Sequence, residues 1–328
     1  MKKNSILFGL ALLGATTAFV SCTNDNDDIL NPVEEEGLTT ITVGAPTIET
    51  EGSKTRVTFT YDNGLKMAWE AGDIIKCTGY RDKNDGNGWK AGYNNKQATA
   101  KTTGTTSEFT PDGWTDLSTY THAYSILYGT SANKSREQFE TASVPNEQTQ
   151  AGNNNTEHLK ANYWAYLKNV STNSNITFSE TWAENHAASK PIDEGDDCGQ
   201  FIQSSCLKFD LKLPSTLTAI TKVVLVGKSG NKLIQEKGGS GKDWTLNVTG
   251  LGAGDGFNAI KESGEPHFIG YVMLPPCDQT ISVDSKWEVR VFYDGSNKIY
   301  KPFDVAANTK INAGTLAVIK MNSTGWKQ

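Results

Sequence analysis

Cys22 is the residue whose type and position carry the clearest chemistry in this chain. Lys2 and Lys3 lead an apolar run from Ile6 to Val20, and small Ser21 closes that run directly before the cysteine. A basic head, a short apolar stretch and a small residue before the cut are the parts of a secretory signal, and the run is too short to span a bilayer comfortably. In a bacterial lipoprotein the residue after the cut is a cysteine, because its thiol accepts a diacylglycerol before cleavage and then carries the membrane anchor. The pattern predicts a signal peptide over 1–21 and acylation of Cys22, against the alternative of an ordinary signal peptide followed by an unrelated cysteine.

No second set of residues converges on a reaction. His122, His158, His186 and His267 are scattered singly, without the spacing of metal ligands. There is no Gly-x-Ser-x-Gly elbow, no phosphate loop ending in Gly-Lys-Ser/Thr and no His-Glu-x-x-His pair. Carboxylates for glycoside hydrolysis have no local motif, so a surface glycosidase is the remaining enzymatic alternative. The expectation is a non-catalytic protein without cofactor or metal. Asp82 to Gly88 resembles a calcium loop, but Asp85 falls between the required odd positions and a glycine arrives one place early. A hairpin loop fits better. The acids Asp193, Glu194, Asp196 and Asp197 read as a solvated linker rather than a cation site. Trp89 and Trp114, beside Gly-rich turns, are either a sugar-stacking platform or core anchors with one wet edge.

Cys77, Cys198, Cys206 and Cys277 remain after acylation, and four thiols allow three pairings. They are too sparse for a disulfide scaffold and do not neighbour histidines as zinc ligands do. Cys198 and Cys206 form the candidate disulfide, because a turn between them would bring them together in a compartment that permits oxidation. Free, half-buried thiols are the alternative.

The elements that must carry these residues are strands. Of 31 Lys and Arg, 29 remain once Lys2 and Lys3 leave with the signal, against 37 acidic residues, a formal charge of −8. No basic block follows the signal, which argues against a nucleic-acid partner. Thr23 to Asp28 is a polar, acidic tether that cannot bury enough apolar surface to fold. Alternation with period two marks Leu207 to Leu213, with four apolar residues facing one way and Lys208, Asp210 and Lys212 the other, so one wet face is expected. It recurs in Thr55–Tyr61 ahead of Asn63-Gly64, Tyr120–Tyr128, Lys222–Val226, Trp244–Val248, Phe268–Leu274, Trp287–Tyr293 ahead of Asp294-Gly295, and Thr315–Met321. Glu157 to Val170 instead spaces Leu159, Tyr163, Tyr166, Leu167 and Val170 as a helix would. Strands not interleaved with regular helices favour antiparallel sandwiches over a doubly wound sheet. The polar stretch from Ala188 to Gly199 places a domain boundary, at about 150 residues per domain.

At Trp69-Glu70-Ala71-Gly72-Asp73-Ile74-Ile75 the chain resembles the fimbrillin-like lipoproteins of Gram-negative gut and oral anaerobes, whose early signature is Trp-x-x-Gly-Asp-x-Ile. Further elements follow in the family's order: the Tyr120–Tyr128 strand, Val144-Pro145 before Gln148, the strand from Leu207, and Ile311-Asn312-Ala313-Gly314-Thr315 opening the last strand. The resemblance covers nearly the whole mature chain. Tyr80 to Asn95 departs from it in being rich in Gly and Asn, and the tail Ser323–Gln328 need not match that of a polymerising member.

The resemblance implies an all-β protein of two antiparallel, transthyretin-like β-sandwich domains in tandem, with a short helix in the first. The expected bounds are an acidic tether over 22–37, an N-terminal domain over 38–197 and a C-terminal domain over 198–328. It also implies a structural or adhesive subunit of a surface fimbria, held at the outer membrane through its lipid and joined to other subunits by strand addition. The removable strand would be Leu38 to Val43. Arg56 is the expected residue before the processing cut, with Lys54 second. The alternative is a non-polymerising surface lipoprotein that binds host glycan or protein through loops such as Tyr80 to Tyr93.

Overall fold

The computed structural model describes residues 40–45, 47–50, 64–82, 89–113, 123–128, 142–168, 175–178, 200–227, 232–254 and 256–328. Cys22, the tether, Lys54, Arg56, the expected Thr55–Tyr61 strand, Trp114, the acids from Asp193 to Asp197, and Cys198 lie outside these residues.

The described residues belong to one compact unit. It is all-β, built on three principal sheets, with strands numbered in chain order. The largest has eight strands in the order β10 (Asn175–Thr177), β1 (Ile41–Gly44), β6 (Thr106–Pro111), β5 (Trp89–Ala100), β4 (Ile74–Asp82), β7 (Ala123–Tyr128), β9 (Ala165–Lys168) and β11 (Gln200–Gln203). A six-stranded sheet runs β17 (Lys261–Glu262), β18 (Glu265–Met273), β12 (Cys206–Lys212), β23 (Thr315–Met321), β2 (Thr47–Thr50) and β3 (Gly64–Lys66). A five-stranded sheet runs β21 (Asn297–Val305), β20 (Ser285–Tyr293), β13 (Lys222–Gly227), β16 (Trp244–Thr249) and β8 (Glu147–Ala151). Two small ribbons, β14 (Leu233–Ile234) with β15 (Gly241–Lys242) and β19 (Gln279–Thr280) with β22 (Lys310–Ile311), complete the set.

Alternation sets the buried faces. In β6, Ser107, Phe109 and Pro111 turn inward, and in β16 Trp244, Leu246 and Val248 do so. Turn chemistry sets the hairpins. Asp294 and Gly295 take φ of 41° and 74° in the three-residue turn between β20 and β21, left-handed conformations that Asp and Gly adopt more readily than other residues. β4 and β5 pair antiparallel up to Asp82 opposite Trp89, and the expected loop between them, 83–88, lies outside the described residues.

Three expectations change. The helix spaced over Glu157–Val170 is a short 3-10 turn, Glu157–Asn162, followed by strand β9. Ala165, Tyr166 and Leu167 are all buried, so this strand is covered on both faces and shows no alternation to distinguish it from a helix. The wet face of β12 is largely covered, since Lys208 is only 2% exposed. Cys206 is a free thiol rather than half of a disulfide, because its side chain opens β12 inside the core, with Sγ 3.7 Å from the Leu207 carbonyl. Strands from the two sides of residue 197 also share sheets. β11 closes the eight-stranded sheet from beyond it, while β2, β3 and β8 join strands of the C-terminal half.

Candidate functional site

The first described strand sits inside the eight-stranded sheet, not on its rim. β1 pairs antiparallel with β6, Ile41 opposite Phe109 and Val43 opposite Ser107, and parallel with β10, Val43 opposite Ile176. Ile41 and Val43 are wholly buried, whereas Thr42 and Gly44 are half-buried. Two apolar side chains and a ladder on each edge hold the strand. Burial of each side chain contributes roughly 1.5–3 kcal/mol.

Trp69 clamps this strand. Its indole N–H donates to the Val43 carbonyl at 2.7 Å, and its ring, fully buried, meets Phe109 edge-on at 5.1 Å and Tyr128 at 5.3 Å. A buried indole needs such an acceptor, and here the acceptor belongs to the strand itself. The rest of the Trp69–Ile75 segment fixes the tryptophan in place. Gly72 takes a φ of 98°, open to glycine and strained for other residues, and the Asp73 carboxylate accepts the Glu70 N–H at 2.8 Å. Gly72 N–H donates to the Ala100 carbonyl, and Ala100 N–H to the Asp73 carbonyl, which ties the turn to β5. Lys160 bridges Asp73 at 2.9 Å and Glu70 at 3.0 Å. Burial, with the Asp73 and Glu70 charges adding to it, pushes the Tyr128 hydroxyl well above its ordinary range, so it stays neutral against Trp69.

A second place is closed by side chains alone. β17 covers β18 only at Glu265 and Pro266, which leaves the backbone edge from His267 to Met273 to be satisfied otherwise. Gln148 accepts the Met273 N–H at 3.0 Å and donates to the Met273 carbonyl at 2.8 Å. Gln150 accepts from Tyr271 N–H and donates to the Ile269 carbonyl, both at 2.9 Å. Asn153 accepts from Ile269 N–H at 2.7 Å and donates to the His267 carbonyl at 3.2 Å. Three amides thus stand in for a strand, and β8, which carries two of them, pairs by its backbone with β16. Only Gln148 drew notice in the sequence. The available signal was the alternation Glu147-Gln148-Thr149-Gln150, polar at both phases and so silent as to which residues turn inward.

Other candidates are dispersed. His158 Nε2 lies 2.9 Å from the Tyr271 carbonyl, and His267 lies between Asp210 at 2.7 Å and Glu262 at 3.0 Å. Among the described residues no group of three His, Cys, Asp or Glu side chains is placed to hold a metal. Cys77 is a buried free thiol, and burial holds its pKa far above the ordinary thiol range. Cys277, half-buried, is pushed up to about 11 by burial, aided by Asp278. Trp89 opens β5. Acylation at Cys22 and processing at Lys54 or Arg56 fall outside the described residues.

No family model matches the chain, and no curated protein sequence matches it. Among solved structures, one similar chain is a Bacteroides ovatus protein provisionally assigned to cell adhesion, at 13% identity and a TM-score of 0.38, covering 80% of this chain and 85% of that one. Another, from Bacteroides fragilis and provisionally assigned likewise, is 12% identical with a TM-score of 0.35, covering 88% and 97%. Likeness of this order assigns neither family nor function to the chain.

Proposed function

We propose that this chain is a non-catalytic structural or adhesive subunit of a cell-surface fimbria, exported as a lipoprotein acylated at Cys22 and held at the outer membrane. Its sheets are read as two tandem, transthyretin-like sandwiches. A cut at Arg56, or at Lys54, releases the first strand, and an extended segment of another subunit takes its place.

The observation that supports this reading is the seat of β1. A strand can be exchanged when its departure leaves a defined groove, with backbone groups on both sides and pockets for alternate side chains. The seat has β6 and β10 as its walls, the Ile41 and Val43 pockets as its floor, and the Trp69 indole N–H as a fixed donor toward the incoming strand.

Limited tryptic trimming followed by N-terminal sequencing, intact mass and negative-stain microscopy tests the reading. The expected result is a new terminus after Arg56 or Lys54 and end-to-end ladders. A trimmed chain that keeps its β1 segment bound and stays monomeric while binding a glycan or host protein would favour the non-polymerising alternative instead.

A further inference from the structure

We propose that the outward face of the five-stranded sheet binds an acidic glycan, a chain in which sugars bearing a carboxylate alternate with neutral ones. This sheet contains neither β1 nor β2, so the site is present before and after trimming and does not rest on strand exchange.

In β13 and β20 one phase is buried in the core, with Val223, Leu225, Val289 and Val291, so the other phase faces outward. Register lines up that outward phase as a row across all five strands. Thr149 of β8 lies beside Asn247 of β16, Asn247 beside Lys222 of β13, Lys222 beside Phe292 of β20, and Phe292 beside Lys298 of β21. Thr149 and Lys298 are exposed, and Asn247, Lys222 and Phe292 are half-buried. Neighbouring strands lie about 4.8 Å apart, so the row runs for roughly 19 Å. Several sugar rings fit along it.

Phe292 positions two cations. Its ring centroid lies 4.7 Å from Lys222 Nζ and 6.0 Å from Lys298 Nζ, so each ammonium is drawn to the ring rather than left to wander. Neither is in an ion pair among the described residues. The two lysines stand on the strands that flank β20, their backbones roughly 10 Å apart, which matches the spacing of acidic groups carried on alternate sugars of an extended glycan.

The carboxylates nearby do not neutralise them. Glu288 is engaged by Arg290, Glu147 accepts the Asn247 amide N–H at 2.8 Å, and Asp294, exposed in the turn that follows β20, pairs with neither lysine. The chain as a whole carries a formal charge of −6, so a cationic row is a local feature and gives an anionic ligand one place to go. Two ammoniums are too few for a nucleic-acid backbone, whose binding is built from many phosphate contacts. The Asn247 amide and the Thr149 hydroxyl continue the row with groups that bond sugar hydroxyls, which favours a glycan over an acidic peptide.

The test is fluorescence anisotropy on the uncut protein with a labelled hyaluronan octasaccharide, in which glucuronate alternates with a neutral sugar, alongside a neutral N-acetylglucosamine oligomer and oligoglutamate. The expected result is saturable binding of the first, weaker by about tenfold or more for the other two and for a double variant, Lys222→Glu with Lys298→Glu. Lys310→Glu, at an exposed lysine of β22, should leave binding unchanged, and added salt should weaken it. Absence of saturable binding, equal binding of the neutral oligomer or of oligoglutamate, or a loss in Lys310→Glu as large as in the double variant would each overturn the proposal. The trimming experiment reads the β1 seat in another sheet, so either reading can fail while the other stands.

Discussion

β1 and β8 are both short strands held far from their sequence neighbours, yet they are secured by opposite chemistry. β1 is gripped through its backbone on both edges and buries two aliphatic side chains. β8 uses its backbone on one side only and holds β18 through the amides of Gln148 and Gln150. The first kind of contact accepts any strand with suitable apolar alternation, since the ladder is blind to sequence. The second is written into particular side chains, and no foreign strand reproduces it. A grip that is blind to sequence and one that is specific to it thus stand side by side within one fold.

The largest test of this contrast is Trp69→Ala. It removes the fully buried ring and the donor to Val43, and should cost about 4 kcal/mol in denaturant unfolding, with hydrogen exchange at Ile41–Gly44 rising first. A variant whose β1 amides stay as protected as the rest of the sheet would show that Trp69 does not clamp the strand. Gln150→Ala follows at about 3 kcal/mol, because the Tyr271 N–H and Ile269 carbonyl lose their buried partner. A peptide spanning Thr40–Ala45 should restore stability to a chain stripped of β1 but not to Gln150→Ala. Rescue of both would erase the distinction drawn between the two strands.

Smaller effects come from the charged and titrating groups around the two sites. Burial lowers the His158 pKa from its ordinary value of 6.5, partly offset by the hydrogen bond to the Tyr271 carbonyl, and its Nδ1 is buried without a partner among the described residues. The neutral ring is the form favoured by folding, so the stability linked to it is complete above about pH 6.5 and declines as the pH falls below that value. Unfolding free energies of His158→Asn across this range should lose that slope. Lys160→Ala should cost least, about 0.5 kcal/mol, since Glu70 is largely exposed and the pair is screened. A much larger loss would mean that the Asp73 contact anchors the Trp69 turn.

Strands with one polar and one apolar phase were legible before any coordinates. β13, β16, β18, β20 and β23 fall within a few residues of where alternation placed them. β9 was not, because covering both faces erases the phase. β8 was not, because its inward residues are as polar as its outward ones. Lys208 defeated the simplest rule, that charge faces water, since cover on both sides of β12 depends on elements distant in sequence. The placement of β1 near the expected removable strand was legible, but its pairing with β10 and the passage of β2 to β23 were not. Register between segments so far apart is set by the whole fold, and no local pattern records it.

The join between β2 and β23 has a consequence in time. Thr50 meets Leu316, so a strand synthesised near the start of the chain, paired on one edge with its neighbour β3, gains its second partner only when nearly the last strand exists. Ordering so distant a pair is slow, because the loop must close before the contact rewards it. A polypeptide emerging from its amino end could complete its eight-stranded sheet by Gln203, yet its six-stranded sheet would stay unfinished until the final ribbon arrived.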